Sequence, residues 1–122
     1  MTDIQSREDL YLIVKSFYIK LLNDSSINYL FTEVAKIDLE PHLNELVNFW
    51  DDLIFDKNNY RKNVLQIHQD VNQKSPFSSM HFEVWLKYFN QSIDENFSGS
   101  NAEQMKTRAL SIATVMQIKF KK

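Results

Sequence analysis

Apolar residues recur at helical spacing along most of the chain, with no internal repeat and no low-complexity stretch. From Ser6, an N-cap residue followed by Glu8 and Asp9, a first long helix carries Leu10, Ile13/Val14, Phe17/Tyr18 and Leu21 on one face. Asn23-Asp24-Ser25-Ser26 ends it, and a helical turn around Ile27 to Phe31 follows. A second long helix starts at Asp38, tolerates Pro41 in its first turn, and turns Leu39, His42/Leu43, Leu46, Phe49/Trp50 and Leu53 inward.

A shorter helix is predicted from about Asn59 to Val71, facing inward with Val64/Leu65, His68 and Val71, and Asn72 to Pro76 reads as a loop. The next helix spans about Ser78 to Phe97, with Phe82, Trp85/Leu86, Phe89 and Ile93 on its stripe. Ser98-Gly99 breaks it. Ser100 to Glu103 reads as a capping box, and the last helix buries Met105, Ala109, Ile112, Met116 and Phe120. The pattern is that of one all-α domain covering residues 1–122.

Composition narrows the function. There is one glycine and there are two prolines, so the glycine-rich loops that cradle nucleotide phosphates have no residues to be built from. Net charge is −2 with both signs interspersed, which argues against a nucleic-acid or membrane surface. No apolar run reaches the roughly 20 residues of a membrane span, and no charged-then-apolar leader precedes the first helix, so a cytoplasmic location is expected. Nine Phe, five Tyr and two Trp either fill a core or line a cavity for a flat ligand.

No cysteine is available as a thiolate ligand, which leaves three histidines and four methionines as soft iron ligands. His68 lies on the apolar stripe of its helix. One reading is a core histidine bonded to a backbone carbonyl; the other is an iron ligand kept neutral by burial. His42 repeats the pattern on a separate helix. No HxxxH or HExxH pair exists, which argues against zinc. Tyr18 and Trp85 lie near inward stripes, either as ordinary core aromatics or as hydrogen-bond donors within an apolar cavity, and Phe31 and Phe49 are core residues or porphyrin neighbours. His81, beside Phe82 at a helix start, caps or stacks there. Asp51-Asp52 and Asp94-Glu95 read as solvated helix faces.

The order Phe17-Tyr18, Phe31, His42-x4-Val47-Asn48-Phe49-Trp50, His68, Phe82-x2-Trp85-Leu86-x2-Phe89 resembles the group III truncated haemoglobins over roughly residues 8 to 116. The most specific pieces are His-x5-Asn-Phe-Trp and Phe-x2-Trp-Leu-x2-Phe. This group lacks the glycine-pair motifs of other truncated haemoglobins, in keeping with a single glycine. The resemblance implies a shortened globin fold, helices packed two over two around haem b. It makes His68 the proximal iron ligand, with His81 as the fallback. Tyr18, His42 and Trp85 become distal residues that meet O2, NO or CO, and Phe31, Leu46, Phe49, Leu65 and Trp85 haem contacts. The activity it implies is diatomic ligand binding, with nitric oxide dioxygenase or peroxidase-like turnover if an electron donor or reductase serves it. A haem-free helical bundle acting as an interaction or regulatory module is the rival reading.

Overall fold

The computed structural model describes residues 1–57 and 64–120, the side chains of 64–66 excepted. Among these residues the secondary structure is helical throughout: α1 (Arg7–Leu22), a five-residue π-helix (Leu30–Val34), α2 (Leu39–Phe55), α3 (Val64–Lys74), α4 (Ser79–Asp94) and α5 (Ser100–Phe120). Ser6 caps α1 as its position suggests, its side chain accepting from the Asp9 amide, and Leu10, Ile13, Val14, Phe17, Tyr18 and Leu21 are all buried. Asp38 is the N-cap of α2.

The four long helices form a closed ring: α1 packs on α2 and α4, α5 packs on α4 and α2, and the α2–α5 seam is the thinnest. This is the two-over-two arrangement of a shortened globin. The short helix α3 rests on α5 and on the π-helix. Within the ring, α1, α2 and α4 are tied together by aromatic packing. Trp85 of α4 stacks on Phe89 with centroids 5.5 Å apart and planes 5° from parallel. Phe89 in turn stacks on Trp50 of α2 at 5.2 Å. Phe17 of α1 meets Phe89 and Trp85 edge-on at 5.1 and 5.6 Å, the arrangement the ring quadrupoles favour.

Four local expectations are corrected. The turn expected over Ile27 to Phe31 is present, with the Leu30 and Phe31 amides bonded to the Ile27 and Asn28 carbonyls, but it runs on as a π-helix to Val34 rather than ending at Phe31. Asn72 to Lys74 are helical rather than loop, because the buried Asn72 Oδ1 accepts the Phe77 amide at 2.8 Å and so fastens the short 75–78 connection onto the end of α3. Asp51 is not on a solvated face: it is 3 % exposed and receives Arg7 Nη1 at 2.9 Å, while Arg7 Nη2 reaches Asn48 Oδ1. The predicted start of α3 near Asn59 lies outside the described residues.

The fourth correction concerns the last helix. Its first turn is capped from the far end of the chain, by Asp3, whose carboxylate accepts the amides of Asn101 and Ala102 at 2.9 Å each. The Asn101 side chain returns the contact by donating to the Ile4 carbonyl. Gly99, at φ 149°, is needed here on two counts: that backbone conformation disfavours a side chain, and a Cβ would overlap the Asp3 carboxyl group. Burial raises the Asp3 pKa, but the bonds from Asn101, Ala102 and Ile4 together outweigh it and hold the carboxyl below its ordinary value.

Asp3→Ala should therefore lower the unfolding free energy by about 1 kcal/mol at neutral pH, read from urea midpoints. Because the folded pKa is depressed, the carboxylate's contribution is complete above the ordinary carboxylate range and fades as pH falls through the folded value. The stabilities of Asp3→Ala and the parent chain should converge in acid.

Candidate haem site

A cavity of about 370 Å³ opens where α2 and α5 diverge beneath α3, within the size range of small-molecule sites. The helix registers explain why it is there. On α2, Leu43 and Val47 enter the core, while His42, Glu45, Leu46 and Phe49, one position round the helix, turn to the cavity, and the buried Trp50 reaches both. On α5 the cavity side carries Ile112, Ala113 and Met116, and Ala113 has too small a side chain to fill the gap. From α3 come Ile67, His68 and Val71, from the π-helix Leu30 and Phe31, and from α4 His81, Phe82, Trp85 and Phe89. The lining is predominantly apolar, with a few polar atoms converging on it.

The clearest polar feature joins α1 to α2. Tyr18 Oη lies 2.7 Å from His42 Nε2, the two rings edge-on at 5.1 Å, and Phe31 closes on the other edge of Tyr18 at 5.4 Å. Burial pushes the Tyr18 phenol well above its usual pKa, so it stays protonated and able to donate. Trp85 lines the same space with its ring held by Phe89 and Phe17; no protein acceptor meets its indole N–H among the described residues.

His68 stands midway along α3, half-buried, on the cavity wall between Ile67 and Val71. His81 also borders the cavity, but its ring is already engaged. Nδ1 accepts the Ser78 amide at 3.0 Å and Nε2 lies 3.0 Å from Tyr29 Oη. It completes a capping box at the start of α4 and so both caps and stacks. As a fallback ligand it would have to abandon those bonds.

Tyr18, Phe31, His42, Leu46, Phe49, His68 and Trp85 are thus brought to one cavity. The side chain of Leu65 lies outside the described residues. Sequence reasoning passed over Glu45, although its i+3 spacing from His42 puts it on the same face. It also passed over Phe77 and Ile37, which come from connections where no periodicity marks them. Among the described residues no three His, Asp or Glu side chains gather as they would around a bare metal ion. A predominantly apolar cavity bordered by a mid-helix imidazole does suit a tetrapyrrole, which brings the other four iron ligands itself.

No family model matches the sequence. Over 115 residues the chain is 24% identical to a group 3 truncated hemoglobin, ctb, of Campylobacter jejuni, covering 92% of this chain and 88% of that protein. The crystal structure of group III truncated hemoglobin from Campylobacter jejuni superposes with a TM-score of 0.87 at 25% identity, covering 100% of this chain and 97% of that one. The chain has the truncated-globin fold and resembles the group III truncated haemoglobins along its whole length.

The Tyr18–His42 bond generates a thermodynamic prediction. A double-mutant cycle of Tyr18→Phe and His42→Leu, followed by urea unfolding, should give a favourable coupling of about 1 kcal/mol, with His42→Leu alone the more destabilising because it strands a buried hydroxyl.

Proposed function

We propose that residues 1–122 act as a single globin domain that holds haem b in this cavity, with His68 as its iron ligand, and binds diatomic gases such as O2, NO or CO. The observation that carries the reading is one apolar cavity bordered by the His68 imidazole from α3 and the Tyr18–His42 pair from α1 and α2, in a fold shared with a truncated haemoglobin. When bound, haem supplies an iron that takes up such gases and exchanges electrons.

The chain's own residues supply the rest. His68 offers an imidazole lone pair and must be neutral to do so. Leu46, Phe49, Phe31 and, by its position on α3, Leu65 are assigned to the porphyrin faces and edge, excluding water. Tyr18 is held by His42 with its hydroxyl protonated, and the Trp85 indole N–H meets no protein acceptor among the described residues. Both are donors suited to a diatomic ligand carrying partial negative charge, and each would slow its departure. Three polar groups on one side of a greasy slot favour redox turnover over simple carriage. We assign the chain either oxidation of nitric oxide to nitrate or activation of peroxide, supplied with electrons by a separate donor protein. Cytoplasmic placement fits that role, and among the described residues no helix is long and apolar enough to cross a membrane.

Purified protein should show a Soret band that His68→Ala abolishes while the helical fold persists by circular dichroism. A colourless, folded protein that ignores added haemin would overturn the assignment in favour of a haem-free bundle. Tyr18→Phe and Trp85→Phe should each raise the O2 dissociation rate at least about tenfold, as expected for losing a hydrogen bond to a charged acceptor, measured by flash photolysis or stopped flow. Haem should be released on acidification as the His68 imidazole takes a proton.

A further inference from the structure

The His81 ring joins three parts of the chain that are distant in sequence. Its Nδ1 accepts the Ser78 amide at 3.0 Å, and its own amide donates to Ser78 Oγ, so ring and backbone close the first turn of α4 reciprocally. Because Nδ1 accepts, the neutral ring carries its proton on Nε2, which donates to Tyr29 Oη at 3.0 Å, at the head of the π-helix. The Ser26 carbonyl, in the turn after α1, also faces the ring.

The 75–78 connection that ends on this bond follows directly from α3, and α3 is otherwise carried by α5 and the π-helix. His81 therefore pins the π-helix to the connection behind the His68 helix. The geometry points to a proton-released latch: the neutral His81 ring closes the corner of the cavity between the π-helix and the α3–α4 connection, and its protonation opens that corner.

The chemistry is set by the ring's geometry. An imidazolium has a proton on both nitrogens, so Nδ1–H would confront the Ser78 N–H, donor against donor, and the cap would be lost. The positive end of the α4 dipole opposes the same charge. Burial lowers the pKa of His81, with the Ser26 carbonyl partly countering it. Among the described residues, the other ionisable groups bordering the cavity are Tyr18 of α1, His42 and Glu45 of α2 and His68 of α3, and the hydrogen bonds of the His81 ring go to Ser78 and Tyr29 instead. With the folded pKa below the unfolded one, the closed state is fully favoured above the ordinary histidine value and weakens as pH falls through the folded value. This inference stands whatever fills the cavity.

The test uses hydrogen exchange of residues 77–82 in the purified, reduced, carbon-monoxide-saturated protein between about pH 7.5 and 5, with NMR of the His81 ring nitrogens alongside. At neutral pH the ring should be the Nε2–H tautomer. On acidification the protection of these amides, corrected for intrinsic rates, should fall about fivefold or more with the midpoint of the His81 ring titration, the effect of losing one cap. His81→Gln, which keeps an N3 acceptor for the Ser78 amide but cannot titrate, should stay protected. An Nδ1–H tautomer at neutral pH, protection unchanged through the ring titration, or an equal loss in the Gln variant would overturn the latch. Haem release, which His68 protonation would cause on its own, is followed separately by the Soret band and bears on the parent and the His81→Gln variant alike, so the latch is read from the difference between the two.

Discussion

The stacked rings of Trp85, Phe89 and Trp50, with Phe17 set edge-on against them, form one wall of the cavity and give it the rigidity to stay open in so short a chain. A protein interior is ordinarily packed as densely as an organic crystal, and an unfilled slot forfeits dispersion and burial on both walls. Here α1, α2 and α4 are clamped to one another by large, rigid side chains along that wall. The thinner α2–α5 seam is thereby relieved of holding the fold together.

Helix α2 carries the division of labour. Leu43 and Val47 belong to the core, His42, Glu45, Leu46 and Phe49 belong to the cavity, and Trp50 serves both. The two sets interleave at successive positions round one cylinder, so a substitution in either bears on the other through the orientation of the helix. Trp85 does the same on α4, being at once a member of the stack and a cavity wall. The residues assigned to ligand control are thus braced by the residues that stabilise the protein, which keeps their donors aimed without demanding backbone strain.

Much of this was legible in the sequence because period and residue type agreed. The stripe of α1, the cap at Ser6 and the apolar faces of α2 and α4 follow from spacing alone. The gathering of Tyr18, His42, His68 and Trp85 at one cavity required the ordered motifs as well, since an inward histidine reads equally as core or ligand. What escaped the sequence was non-local. Asp51 looks like one of two solvated carboxylates until Arg7 is brought to it across 44 positions. Asn72 looks like a loop former until its side chain is seen to accept the Phe77 amide. The chain between α1 and α2 has only a short apolar run, enough to mark the turn around Ile27 to Phe31 but not its π-helical continuation to Val34.

The carboxylate of Asp3 and the amides it receives are separated by nearly the whole chain. During synthesis α1 and α2 emerge and can collapse against each other long before residue 102 exists, so this junction must be among the last to form. Closing so long a loop is entropically slow, and the contact contributes to native stability without guiding the early steps. Its effect should fall on the rate at which the finished molecule comes apart: the start of the chain acts as a bolt drawn across the final helix after the rest has folded.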